Sequence, residues 1–291
     1  MIPASFDYTR PKTVAEAVTL LGENPEAKIL AGGHSLIPLM RFRLAEPSML
    51  IDINQLEELR YIREGDSWLE IGAMTREAAV ESSEVVVTRY PLLVDTARVV
   101  ADPLVRNMAT LGGNVAHADP ANDHPATMLA YGAEMVITGA SGERSVAAAD
   151  FFVDAFTTAL EPSEILTAIR IPRAKDGDGG AYFKLERKVG DFATAAVAAQ
   201  VCLSSDGVTQ SAGIGLTNVG LTPIYATAAS ESLIGSALTD EKIQGAAKLA
   251  SEAAEPIADH RGSEDYKRHL VATFTTRALK TARERAQGGA A

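Results

Sequence analysis

Residues 28–36, KILAGGHSL, decide how this chain is read. A short apolar strand, Lys28-Ile29-Leu30, runs into Ala31-Gly32-Gly33-His34-Ser35 and then into an apolar stretch from Leu36 to Met40. A second paired-glycine segment stands at 109–125, ATLGGNVAHADPANDHP. There Thr110-Leu111-Gly112-Gly113-Asn114 is expected to open a loop carrying Asp119, Asp123 and two histidines. Paired glycines let the backbone take positive φ and come close to a ligand. Successive N–H groups in such a turn form a concave anion site. Two such turns suit a ligand with two adjacent phosphates. Neither turn contains arginine, so the backbone amides of both are the expected holders. Ser35 is expected to cap the helix after the first turn and set its positive end at the bend. Asp123, just before an apolar run, is the natural cap of a later helix.

With 291 residues the chain exceeds the usual size of a single core, so two or three subdomains are expected. A hydrophobic share of 46% and a charged share of 22% describe an ordinary globular composition. The net charge of −11 argues against nucleic acid and anionic membrane surfaces as primary partners. Cys202 is the one cysteine, so the chain cannot make an internal disulfide, an iron–sulfur cluster or a Cys-rich zinc site. Its apolar surroundings read as a buried strand position. The N-terminus lacks the basic and apolar blocks of a secretory signal, and no run reaches the roughly 18 apolar residues a membrane span needs. The expected location is cytoplasmic.

Thr13-Val14-Ala15-Glu16 reads as a capping box, with Val14, Ala17, Val18 and Leu21 at helical spacing and Gly22 as the closing glycine. Strand 28–30, a helix near 35–42 and strand 49–53 then make a βαβ-like unit over residues 1–53. From 54 to 175 short strands at 60–63, 67–73, 133–138, 143–147 and 164–171 predict a mostly antiparallel sheet. Helices are expected at 76–82, 91–100 and 123–131. Residues 175–180, KDGDGG, mark the clearest break, either a linker or a long hairpin. Beyond it, strands at 181–187, 193–204 and 208–217 are followed by helices at 224–234, 240–254 and 264–286. Asp206-Gly207 supplies a hairpin turn. The charges of the last helix, Asp265, Lys267, Arg268, Arg277, Lys280, Arg283, Glu284 and Arg285, read as a solvated face around an apolar stripe. Only Gly288 to Ala291 look low in complexity.

A lone Gly-Gly pair usually marks only a tight turn. Here the first pair lies between a strand and a helix N-terminus, which favours phosphate, and a second pair follows in another subdomain. No Gly-x-Gly-x-x-Gly follows a strand, and no Walker A loop occurs, so a nicotinamide Rossmann site is unsupported. His117 and His124 stand seven apart, a spacing that matches no metal-ligand pattern, so no metal site is expected. His34 either donates to a phosphate or only packs. No Gly-x-Ser-x-Gly elbow or Cys-His pairing argues for hydrolysis or acyl transfer. What remains is a flavin dinucleotide site in an electron carrier, with no catalytic side chain of its own.

Five ordered motifs sharpen this reading: AGGHS at 31–35, TLGGN at 110–114, DPANDHPA at 119–126, EILTAIRIP at 164–172 and KLERKVGDFATAA at 184–196. With the opening MIPASFDY and GLTNVGLTP at 215–223, they resemble the FAD-binding medium subunits of the molybdenum hydroxylases. Within that family the chain is most similar to the carbon monoxide dehydrogenase branch. The resemblance implies an α+β fold: a FAD-binding domain over 1–175, in two subdomains, then a C-terminal domain over 176–291 with a three-stranded antiparallel sheet and helices. It implies FAD in this chain, with the molybdenum–copper cofactor and the iron–sulfur clusters in a large and a small partner subunit. A dimer of such heterotrimers would pass electrons from the clusters through FAD to a quinone or another respiratory acceptor, associated through the complex with the inner membrane face.

By the same resemblance, flavin contacts fall on Ala31, Gly32, Gly33, His34, Ser35, Thr110, Leu111, Gly112, Gly113, Asn114 and Asp123. The backbone at Ile165 or Leu166 and the side chain of Lys184 match flavin-contacting positions. A lysine beside the isoalloxazine would stabilise the anionic reduced form. Where the branch carries tyrosine, this chain has Phe192, which keeps the stacking surface and lacks the hydroxyl. Two other readings compete: the flavin subunit of a xanthine-, nicotinate- or aldehyde-type hydroxylase, and a stand-alone flavin oxidase.

Overall fold

The computed structural model describes residues 2–288; Met1 of the opening motif and 289–291 of the C-terminal tail lie outside the described residues. The chain forms three main sheets, each with its own helices.

The first is built from β1 (Asp7–Thr9), α1 (Val14–Glu23), β2 (Lys28–Leu30), α2 (Leu36–Arg41) and β3 (Met49–Asp52). Its strands are parallel in the order β1-β3-β2, so the predicted βαβ unit gains an N-terminal strand that three residues of sequence do not announce. Thr13 caps α1 by accepting from the Glu16 N–H, while the Glu16 carboxylate turns back to the Lys12 amide. Gly22 is not the closing glycine: α1 runs to Glu23 and ends on Asn24. Ala17, Val18 and Leu21 pack on Ile51, Ile53 and Leu56.

The second sheet is fully antiparallel in the order β4-β5-β10-β6-β7, where the short strands predict a mostly antiparallel one. Its strands are β4 (Ile62–Glu64), β5 (Trp68–Gly72), β6 (Glu134–Gly139), β7 (Gly142–Ala147) and, after a small ribbon of β8 (Phe152–Asp154) and β9 (Thr157–Thr158), β10 (Ile165–Pro172). Between β5 and β6 come α3 (Glu77–Ser82), α4 (Glu84–Arg89), α5 (Pro91–Val99), α6 (Pro103–Arg106), α7 (Leu111–His117) and α8 (Asp123–Tyr131). The one-turn helix α9 (Ala148–Phe151) follows β7. Their apolar faces close one core with the sheet through Leu69, Ile71, Tyr90, Leu111, Met128 and Ile169.

The segment at 175–180 is neither a linker nor a hairpin. It is a tight turn, pinned by the Leu203 N–H donating to the Gly177 carbonyl, that feeds a third sheet. That sheet runs β11 (Asp178–Glu186), β12 (Ala193–Leu203), β13 (Thr209–Thr217) and β14 (Ile224–Tyr225), all antiparallel. The fourth strand is the start of the helix expected at 224–234, which shrinks to α10 (Thr227–Glu231) because Ile224 and Tyr225 pair with Leu216 and Gly215. Two long helices, α11 (Asp240–Ala253) and α12 (Glu264–Ala286), cover this sheet. The charges of α12 are not simply solvated. Lys267 is buried against Asp259, Arg283 reaches the Leu238 carbonyl, and Arg285 pairs with Asp95 of α5 at 2.6 Å. That last pair ties the third sheet's helix to the second sheet's helices.

Candidate cofactor site

Local sequence places the first turn. β2 ends at Leu30, its carbonyl receives the Ile53 N–H, and the chain then leaves the sheet through Ala31 to Ser35. Gly33 takes φ +78°, open to glycine and strained for other residues. None of the five consecutive N–H groups from Gly32 to Leu36 finds an acceptor among the described residues. Successive open amides of this kind are what an anion needs. His34 and Ser35 are exposed. Ser35 does not cap α2: its backbone is already helical at φ −104° and ψ −52°, and its hydroxyl makes no capping bond.

The second turn is built differently from expectation. Thr110 to Asn114 is not a loop but the start of a helix, α7, with Thr110 as N-cap. Its amides are spent inside the chain. Leu111 donates to Thr75 O at 3.0 Å, Gly112 to Ala73 O at 3.0 Å, Gly113 to Thr110 Oγ1 at 3.1 Å and Asn114 to Thr110 O at 3.0 Å. Positive φ is absent at Gly112 and Gly113; they are glycines because space is absent. A Cβ on Gly112 would stand 2.5 Å from Ala73 Cβ, and one on Gly113 would stand 2.7 Å from Thr110 Oγ1. So the second pair shapes the site, and the first pair offers the amides.

The two turns meet. A Cβ on Gly32 would lie 2.5 Å from the Met108 carbonyl oxygen and 2.8 Å from Ala109 Cα, and one on Gly113 would lie 3.5 Å from Ala31 Cβ. Segments from different sheets are thus in backbone contact. Thr110 Oγ1 is buried and accepts from Gly113, which leaves its hydroxyl proton available. Asn114 Oδ1 is buried without a partner, and the Asn114 carbonyl accepts from Asn122 Nδ2 at 2.8 Å.

That bond leads to Asp123. It is not a cap, since Asn122 holds the N-cap position and Asp123 is the first helical residue of α8. Its buried carboxylate accepts from Tyr182 Oη at 2.8 Å and from Lys184 Nζ at 2.9 Å, both on β11. Lys184 also donates to the Val99 carbonyl at 3.0 Å, and its side chain is 3% exposed. Burial pushes the Asp123 carboxyl upward, against the pull of the Lys184 ammonium and the Tyr182 hydroxyl. Burial, and then the Asp123 charge, hold the Tyr182 phenol well above its ordinary value. The lysine is therefore not a free positive charge beside a ring: its field is largely cancelled by its carboxylate partner.

Ile165 and Leu166 begin β10. There the strand pairs with β6 but not yet with β5, whose ladder starts at Ala168. This side of the 165–166 backbone is free of strand partners, with Ile165 packed beside Met74 under the first sheet. Phe192 is half exposed on the 187–192 turn. Arg261 holds that turn through the Phe192 carbonyl and the Asp191 carboxylate. Gly190 presses it against Ala101, where a Cβ would come within 2.6 Å of the carbonyl.

The histidines divide. His124 is fully buried, its Nε2 2.7 Å from Glu77 Oε2, and joins α8 to α3. His117 lies edge-tilted on Phe156 with centroids 5.3 Å apart, and burial lowers its pKa. Among the described residues no group of three His, Cys, Asp or Glu could hold a metal ion, and no helix is long and apolar enough to cross a membrane. Sequence reading missed Asn54 and Arg76. Asn54 Nδ2 donates to the Ala31 carbonyl at 2.7 Å, and Arg76 donates to Asn54 Oδ1 at 2.8 Å and to the Met108 carbonyl. Neither lies near a glycine pair in sequence, so no local signal marks them.

Comparison with known proteins adds a family to this geometry. Residues 4–174 match the family described as the FAD binding domain in molybdopterin dehydrogenase, and residues 180–282 match the CO dehydrogenase flavoprotein C-terminal domain. The chain is 46% identical to the carbon monoxide dehydrogenase medium chain of Afipia carboxidovorans, over 99% of this chain and 100% of that one. It is 36% identical to the glyceraldehyde dehydrogenase medium chain of Sulfolobus acidocaldarius, over 96% of this chain and 99% of that one. Among solved structures, carbon monoxide dehydrogenase from Hydrogenophaga pseudoflava, lacking the Mo-pyranopterin moiety of the molybdenum cofactor, superposes with a TM-score of 0.95. The identity there is 48%, covering 98% of this chain and 99% of that one.

Proposed function

The chain belongs to the FAD-binding family of the molybdopterin dehydrogenases, and from that premise we propose that it is the FAD-carrying medium subunit of a carbon monoxide dehydrogenase. It is an oxidoreductase component in which FAD, when bound, supplies the redox chemistry. Partners follow from the class: a large subunit with the molybdenum–copper cofactor and a small subunit with iron–sulfur clusters, assembled as a dimer of heterotrimers. Electrons leave toward a quinone or another respiratory acceptor, with the complex at the inner face of the membrane. We place the FAD-binding domain at 1–175, with subdomains of about 1–53 and 54–175, and the C-terminal domain at 176–291.

The observation that carries this reading is the run of unpartnered amides from Gly32 to Leu36, pressed against the Met108–Thr110 segment in a chain similar to these subunits over its whole length. Amides of Gly32, Gly33, His34 and Ser35 hold the diphosphate. Ala31, Leu111, Gly112 and Gly113 wall it, and the Thr110 hydroxyl and the Asn114 side chain donate from the far side. The open backbone at Ile165 or Leu166 meets the polar edge of the isoalloxazine, and Phe192 covers its face. Asp123 and Lys184 together offer hydrogen bonds with little net charge.

The test is flavin content of the chain co-purified with its partner subunits. The parent complex should release FAD on acid treatment, and Gly32→Val should release little while assembly persists. Full flavin occupancy in Gly32→Val would reject the site. CO-dependent dye reduction by the same complex decides between this substrate and the xanthine, nicotinate or aldehyde type, since 36% identity to a glyceraldehyde dehydrogenase chain keeps that second reading in play.

A further inference from the structure

We propose that Arg76 is a positioning residue of the dinucleotide site, a two-pronged brace that fixes the separation of the two glycine turns. The inference rests on the reading of those turns as the diphosphate site. Arg76 is bound to the second turn by its backbone: it pairs with Thr110 in an isolated antiparallel bridge, and the next amide, Glu77 N–H, donates to Ala109 O at 3.0 Å. Its guanidinium then divides. One nitrogen donates to the Met108 carbonyl, and the other donates to Asn54 Oδ1 at 2.8 Å.

Asn54 carries the second prong to the first turn. Its Nδ2 donates to the Ala31 carbonyl at 2.7 Å and to Asp52 Oδ1 at 2.7 Å, and its own amide is fixed by Asp52 Oδ1 at 2.9 Å. Arg60 holds the Asn54 carbonyl from the other side. One planar group thus reaches Met108, two residues before the second turn, directly and Ala31, the first residue of the first turn, through a single amide. Met108 O is also the atom that a Cβ on Gly32 would meet at 2.5 Å, so the brace ends on the atom that bars a side chain from the first turn. A guanidinium presents two donors at a fixed spacing, whereas an ammonium is a single point charge. Both of its acceptors are neutral, so no carboxylate is hydrogen-bonded to the guanidinium, and Asp52 and Glu57 act on its charge only from a distance.

The test compares Arg76→Met and Arg76→Lys with Gly113→Val in the complete complex, reading the FAD dissociation constant of the deflavinated form and its thermal midpoint. Arg76→Met should weaken FAD about tenfold to a hundredfold, the range for losing a charge-assisted hydrogen bond. Millimolar methylguanidinium should restore binding, and the midpoint of the deflavinated form should hardly move. Arg76→Lys should fall between, since it keeps the charge and only one prong. Parental FAD affinity in Arg76→Met, with flavin lost in Gly113→Val, overturns the brace and leaves the site standing. Loss of FAD that methylguanidinium does not reverse, accompanied by a lower midpoint, makes Arg76 a general fold residue and also overturns it. Full flavin occupancy in Gly32→Val, the variant that tests the site, refutes the site itself.

Discussion

Replacing Lys184 by methionine tests the interface between the second and third sheets. The wild-type pair is dry, with side-chain exposures of 3% for Lys184 and 7% for Asp123. Methionine keeps the length of the stem and removes the ammonium. Among the described residues Asp123 is left with the Tyr182 hydroxyl as its side-chain donor, and the Val99 carbonyl loses its Nζ–H donor. Breaking a buried ion pair from one side costs about 3–5 kcal/mol, because a charge stays behind without compensation. Total stabilities are only about 5–15 kcal/mol, so the loss is a large fraction. At about 2 °C per kcal/mol for a chain of this size, the midpoint should fall by roughly 6–10 °C.

The pH dependence follows from the direction of the Asp123 shift. Burial raises its carboxyl in the folded protein, and without Lys184 it rises further. A raised folded-state pKa means that stability is intact below the ordinary carboxylate range and is lost as pH rises through the folded value. Lys184→Met should therefore be penalised most near pH 8 and least in mild acid. Adding Asp123→Asn should recover much of the loss at pH 8, because the stranded charge is gone. Urea unfolding at both pH values, followed by far-UV circular dichroism and Trp68 fluorescence, gives the four corners of the cycle. Penalties for the two single changes that simply add, with no difference between pH 5 and pH 8, would refute the argument.

Other consequences are checked more briefly. His124→Ala should destabilise the chain by about 1–3 kcal/mol in urea titration, since it leaves the fully buried Glu77 Oε2 without its hydrogen-bond partner; a penalty indistinguishable from zero would refute that role. Burial pushes the Asp52 carboxyl up, but bonds from Tyr8 and Asn54 outweigh it and hold it below the usual range. A depressed folded pKa adds stability above the ordinary carboxylate range that disappears as pH falls, so Tyr8→Phe should lower stability most at pH 8 and approach the parent in strong acid. Gly190→Ala should loosen the 187–192 turn, because φ is +80° and the new Cβ would meet Ala101 O at 2.6 Å. Limited proteolysis should then cut at that turn faster than in the parent chain.

How much of this was legible in the sequence depends on what each residue answers to. The sequence places the five strands of the second sheet and the three long strands of the third within three residues of their observed ends, although β12 is buried along nearly its whole length and shows no alternation. The helix at 123–131 is likewise written in its apolar run. The second glycine pair is the instructive failure. Gly-Gly lowers helix propensity by about 1 kcal/mol per residue, so TLGGN reads as a loop. The fold overrides that preference because Gly112 is the only residue type that lets α7 sit on Ala73. What looked like a second cradle is therefore a packing device whose amides are answered by Ala73, Thr75 and Thr110. The same logic relocates charge. Lys184 matched a flavin-contacting position, yet its charge is answered by Asp123, sixty-one residues away in sequence. Arg76, which no motif contains, is by contrast a cation whose guanidinium donates to neutral acceptors next to both turns. Glycine spacing reports where a backbone comes close to something, and only the hydrogen-bond accounting of the fold reveals whether that something is a ligand or the chain itself.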